Sequence, residues 1–344
     1  MKRLLRRLLL FLFLGLISAC SNLPYYSQAI GGHLSLLMKR QDIRELVQDP
    51  TLSEKLRERL VLSQQVIAFA RDQMALPDNG SYRHFVRVDG RYVVWNVIAA
   101  PPYSLKARQW CYPVAGCANY RGYYHKEAAE AYAAQLRQEG MDVAVAGASA
   151  YSTLGWFSDP LLSTMLYRDE GQFVEVIIHE LAHQRFYLPG NSQLNESFAE
   201  VVATEGVKRW FIARGEETAF AEFLKDREYE RGFNQLLLQT RTRLEALYDS
   251  GVSEPEMKQA KQVIFKQLRQ AYERYKQEKG GDNRYDKWMS QELNNAHLAL
   301  VATYQGLEPL FTQMLKDSGG DMQVFYNRVE AYAKGLEKSP EAGM

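Results

Sequence analysis

The chain has 344 residues, 46% hydrophobic and 24% charged, with 42 Lys and Arg against 41 Asp and Glu for a formal charge of +1. That composition suits one large core or two smaller ones and excludes a collagen-like, low-complexity or disordered polypeptide. No basic block lies beyond the first residues, so nothing points to nucleic acid as a partner.

At the amino terminus, Lys2, Arg3, Arg6 and Arg7 head an apolar run from Leu8 to Ile17, which ends in small residues before Cys20. An export signal has this form, whereas a spanning helix needs about 20 apolar residues. Ile17-Ser18-Ala19-Cys20 resembles the lipobox of bacterial lipoproteins. The resemblance implies a signal peptide over residues 1–19, lipidation of the Cys20 thiol and a lipid bilayer as partner. A plain signal peptide and an uncleaved anchor are the alternatives, and each puts the remainder outside the cytoplasm. Ser21 after the cysteine resembles lipoproteins sorted to the outer membrane, facing the periplasm, if the host is Gram-negative. Without residues 1–19 the chain holds 38 basic against 41 acidic side chains, so no strong field remains.

Residues 20–50 read as a tether and an N-terminal helical segment. Asp49-Pro50-Thr51 then opens a helix whose stripe is Leu56, Leu60, Ile67 and Phe69, stopped by Pro77-Asp78-Asn79-Gly80 near residue 75. Two runs rich in Val and aromatic residues, HFVRV and RYVVWNVIAA, flank Asp89-Gly90 and predict a tight hairpin. Cys111 and Cys117 follow around a Pro-Gly loop. In an oxidising compartment they close a small disulfide ring, stabilising by roughly 2 kcal/mol on a chain-entropy model; two buried thiols are the alternative. Residues 120–124 are a candidate third strand, 126–139 a helix ended by Gly140, and 141–147 a strand suited to a sheet edge, where unpaired backbone groups can hold an extended peptide.

The next helix carries His179-Glu180-Leu181-Ala182-His183, preceded by the apolar Phe173, Val174, Val176, Ile177 and Ile178. Residues four apart share a helix face, so both imidazoles can reach one zinc ion with Glu180 beside them as general base. Catalytic zinc takes three protein ligands, and Glu196 on a second helix over about 193–214 is the candidate third. Glu200, one turn further, is a candidate acceptor for a ligand imidazole N–H. An ordinary buried helix and a solvated acidic face are the bland alternatives. Tyr151 and Tyr304 are candidate oxyanion donors; Gly155, Asn294, Asn295 and His297 are candidate substrate contacts. Beyond residue 207 the pattern turns helical, with helices expected at about 215–250, 254–279, 284–317 and 321–337.

The two motifs, His179-Glu180-x-x-His183 and Asn195-Glu196-x-x-Ala199-Glu200, resemble the gluzincin metallopeptidases. The wider chain is similar to a family of predicted bacterial aminopeptidases that are often lipoproteins. That similarity runs through Trp110-Cys111, Gly116-Cys117, Tyr120-Arg121-Gly122-Tyr123-Tyr124, Ala150 to Phe157, and Asn294-Asn295-Ala296 with Tyr304. It implies hydrolysis of peptides from the amino terminus; an envelope endopeptidase and a non-catalytic lipoprotein scaffold with structural zinc are the competing functions. The expected architecture is α+β: a zincin-like catalytic core over 51–214, with a small mixed or antiparallel sheet and active-site helices, then a largely helical region over 215–344.

Overall fold

The computed structural model describes residues 24–112, 116–150, 152–153, 157–301 and 306–337. Cys20, Tyr151, Gly155 and Tyr304 lie outside them. In chain order the first elements are helix α1 (24–38), strand β1 (Gln41–Asp42), helix α2 (Ile43–Leu46) and helix α3 (Glu54–Met74). Strands β2 (His84–Val86), β3 (Val94–Ala100), β4 (Trp110–Tyr112), β5 (Gly116–Ala118) and β6 (Arg121–Tyr123) follow, then helix α4 (Lys126–Gln138) and strands β7 (Asp142–Ala148) and β8 (Leu161–Leu162). The remainder is helical: α5 (Glu170–Arg185), α6 (Ser192–Ala213), α7 (Glu217–Tyr248), α8 (Glu254–Glu278), the single turns α9 (Asp286–Met289) and α10 (Asn295–Leu298), α11 (Glu308–Asp317) and α12 (Met322–Glu337). The fold is α+β with a helical C-terminal half.

Three small sheets form in the order β1-β2-β8, β6-β3-β7 and β4-β5. In the second, β3 is central and antiparallel to both neighbours, so β7 is an edge. Its apolar side receives Ala129, Ala133 and Leu136 of α4. Gly140 ends α4 with a positive φ of 82°, a conformation glycine adopts without steric cost. The β4-β5 ribbon is closed by the disulfide Cys111–Cys117, whose residues stand directly opposite one another.

The hairpin predicted at Asp89-Gly90 does not form. β2 pairs with β1 and, in parallel, with β8, while β3 belongs to the other sheet. Ser163 accounts for part of this, because its Oγ accepts from the Val88 N–H at 2.9 Å and ties the end of β2 toward β8. The expected helix over 284–317 is likewise broken into α9, α10 and α11. Asn294 caps α10, its side chain accepting from the Ala296 N–H, and Pro309 sits in the first turn of α11, where its missing N–H costs nothing.

The main core joins α3, α5, α6, α11 and α12, with Phe85 and Leu161 of the first sheet. The last two helices therefore return to the region begun by α3, and Tyr326 of α12 donates to the Met74 carbonyl at 2.7 Å. A second cluster, with Phe233, Leu237, Phe265 and Tyr272, lies between α7 and α8. Among the described residues no helix is long and apolar enough to cross a membrane.

Candidate metal centre

Helix α5 starts where the Asp169 side chain accepts from the Gln172 N–H at 2.8 Å, the hydrogen bond of an N-cap. Phe173, Val174, Ile177, Ile178 and Leu181 are buried, which orients the helix and leaves His179 and Glu180 half-buried on the other side. The link to α6 covers only 186–191. It is held by Asn195, fully sequestered in α6, which accepts from the Leu188 N–H at 2.8 Å and donates to the Leu188 carbonyl at 2.9 Å. So short a link makes the two helices antiparallel, and Glu170 at the start of α5 meets Trp210 and Arg214 at the end of α6. Close approach requires Gly206: a Cβ there would stand 2.5 Å from Ile178 Cδ1.

The antiparallel pair brings three donors together. His179 Nε2 and His183 Nε2 are 3.1 Å apart; Glu196 oxygens lie 3.3 Å from the first and 3.7 Å from the second. Tetrahedral zinc with bonds of about 2.0–2.1 Å spaces its ligand atoms about 3.3 Å apart, so this triangle has the dimensions of three ligands on one ion. The chemistry of the set agrees, since two imidazoles and one carboxylate suit zinc. His183 Nδ1 is buried with no hydrogen-bond partner among the described residues.

The electrostatics set each group's protonation. Burial, followed by His179, lowers His183 to about 4, keeping its ring neutral and able to donate a lone pair. Burial also pulls His179 downward, but the hydrogen bond to Glu196 and the charges of Glu180, Glu196 and Glu175 outweigh it and raise the group. For Glu196, burial pushes upward, and the two histidines overcome it to hold the carboxyl below its ordinary range. Glu180 is pushed up to about 7, first by burial and then, against the pull of His179, by Glu196 and Asp159.

The remaining candidates fall in different places. Glu200 is one turn beyond Glu196, but in place of the expected imidazole contact its carboxylate pairs with Arg227 of α7; a guanidinium is the stronger attraction for a half-buried anion. Asn294 and Asn295 are engaged inside the protein rather than aimed at a substrate. The Asn294 side chain donates to the Val143 carbonyl at 3.2 Å and caps α10. Asn295, with no exposed surface, donates to the carbonyls of Pro101, Pro102 and Ser104 and accepts from Tyr248 Oη at 2.7 Å. His297 completes the capping box and lines a cavity described below.

Three residues here have roles that the sequence does not assign. Arg227 bridges Glu175, one turn before His179, at 3.4 Å, Glu200, and Glu230 at 2.7 Å. No spacing rule marks a lone arginine on a polar helix. Tyr120 is 44% exposed as a residue, but its hydroxyl is pushed up to about 12 by burial and then by neighbouring groups that include Glu196 and Glu180, which places it in their field. Asp159 is 2% exposed and accepts from the Thr153 N–H at 3.0 Å and from Gln184 Nε2 at 3.2 Å, fastening the segment after β7 to α5.

The family model described as "Putative aminopeptidase" matches residues 24–342. No curated protein and no solved structure matches the chain.

Proposed function

The chain belongs to this aminopeptidase family, whose model spans nearly all of it, and we propose that it is a gluzincin-type zinc peptidase removing amino-terminal residues from peptides in the cell envelope. One observation carries the reading: His179, His183 and Glu196 close a triangle 3.1–3.7 Å on a side, with Glu180 adjacent. His179 Nε2, His183 Nε2 and a Glu196 oxygen would hold the zinc. When bound, the ion supplies Lewis acidity to a peptide carbonyl and to the attacking water.

The chain's own groups do the rest. Glu180, next to His179 in the sequence, takes a proton from the attacking water and returns it to the leaving amine; burial raises its proton affinity and a bound cation would draw it back down, toward the range of a base at neutral pH. Tyr120 and Tyr187, both raised by burial and by the charge of Glu196 and so still protonated at that pH, are described candidates to donate a hydrogen bond to the developing oxyanion; Tyr151 and Tyr304 keep that candidacy from sequence alone. The edge strand β7 offers backbone groups to an extended peptide.

The envelope location rests on residues 1–20: a signal peptide over 1–19 and a lipid on Cys20, with the catalytic part held at a bilayer. Cys20→Ala should move the protein from the detergent phase to the aqueous phase. The reaction is tested with matched peptides bearing free or acetylated amino termini. Cleavage of the free form alone is expected; equal cleavage of both would make this an endopeptidase, and cleavage of neither would end the peptidase reading.

A further inference from the structure

Near the metal centre, α6, α7, the segment 285–301 and Glu308 of α11 border a half-open cavity of about 360 Å³. That is the small end of the range for ligand sites, about 300–1,000 Å³, and suits one bulky group better than a long ligand. Its position is fixed from two sides. Glu200 is on one wall, one helical turn or about 6 Å along α6 from Glu196, and Arg227 on the same wall reaches back to Glu175 beside His179. The opposite wall holds His297 and Leu300. Leu300 packs against the cluster of Ile98 in β3, Ala144 in β7 and Ala296, and Asn294 anchors that wall to Val143. The cavity therefore sits one turn along α6 from Glu196, with the wall that Asn294 ties to Val143 between it and β7, and a side chain of a peptide whose carbonyl is at the metal centre would point toward it.

Its chemistry is mainly apolar. Phe233, Leu237, Tyr285, Trp288 and Val301 line it, and the aromatic members are fixed before any ligand arrives: Phe233 and Tyr285 stack with centroids 3.8 Å apart, and Trp288 meets Phe233 edge-on at 5.6 Å. Glu200, Glu230 and Glu308 also border the cavity with Arg227, Arg231 and Asn234, and the first two pair with Arg227, so the charged groups lie at its border rather than on the aromatic wall. His297 is lowered to about 4 by burial and adds no positive charge at neutral pH.

We infer that this cavity is the specificity pocket for the amino-terminal residue and selects large aliphatic or aromatic side chains. The assignment rests on the peptidase reading above. It is tested by comparing kcat/KM for Phe-Ala-Ala, Leu-Ala-Ala and Gly-Ala-Ala in the wild type, in Val301→Phe, which fills the cavity, and in Trp288→Ala, which removes an aromatic wall. Affinities of the same peptides are measured in parallel on Glu180→Gln and on Glu180→Gln combined with Val301→Phe. Wild type should prefer the Phe and Leu peptides by about 10–200-fold over Gly, and in both cavity variants the preference should shrink to about threefold or less. An undiminished preference in folded variants would overturn the assignment, as would hydrolysis by the wild type with no preference. No hydrolysis of any peptide, with Phe-selective binding to Glu180→Gln that Val301→Phe abolishes, would instead remove the peptidase reading and leave the pocket standing.

Discussion

Replacing Arg227 by Met takes the shared cation away from Glu175, Glu200 and Glu230 while keeping most of the side chain's volume. Arg227 and Glu175 are each 15% exposed and Glu200 18% exposed. Breaking a buried ion pair by removing one partner costs about 3–5 kcal/mol; residual exposure puts this case at the lower end, near 3 kcal/mol. The loss has a pH signature. Burial raises the Glu175 carboxyl above its ordinary 4.5, and Arg227 is the largest influence pulling it back. Without the guanidinium the folded-state value rises further, so above about pH 4.5 the folded variant binds more protons than the unfolded chain, and its stability falls as pH rises through that window. Urea unfolding at about pH 5.5 and about pH 8 should show a deficit of about 3 kcal/mol at the higher pH and a smaller one, by about 1 kcal/mol, at the lower. A deficit under about 1 kcal/mol at both values, or one independent of pH, would refute the clamp.

Asn295→Ala strands three backbone carbonyls and the Tyr248 hydroxyl and should cost about 2–4 kcal/mol in denaturant unfolding with KM unchanged; a raised KM at full stability would return Asn295 to the substrate site. Gly206→Ala forces a methyl against Ile178 and should cost about 1–3 kcal/mol with zinc still bound, and a neutral result would mean the two helices separate freely. Because Glu180 stands near 7 without an ion, a bound cation should draw it lower. The acid limb of the kcat/KM profile should therefore fall below pH 7, and zinc uptake near pH 6.5 should release protons; uptake without proton release would contradict the assignment.

What was legible in the sequence follows from how local its causes are. The pairing of α5 with α6 is set by the apolar residues from Phe173 to Leu181, the caps Asp169 and Asn191, and a link too short for anything but an antiparallel return. Helix α4, with its Gly140 stop, and the edge position of β7 were readable for the same reason. The hairpin failed because β2 takes its partners from residues 41–42 and 161–162, far outside any local window. The break between α9 and α10 is hidden because Asn295 finds its acceptors near residue 101, almost two hundred positions earlier. Asn294, on a polar helical stripe, and Asn295, beside it in the motif that carries the resemblance, read as substrate contacts because polar residues carry no mark of burial in the sequence. Arg227 was invisible for the converse reason, since its meaning lies in three carboxylates brought from α5, α6 and its own helix.

The measurement that bears most directly on the site is metal content and peptide hydrolysis, taken together on the purified protein and on Glu180→Gln. One zinc per chain in both, with hydrolysis in the first and a loss of about 10²–10⁴-fold in the second, is the predicted result. Undiminished hydrolysis by the variant, or a wild type that hydrolyses peptides with no metal bound, would contradict it.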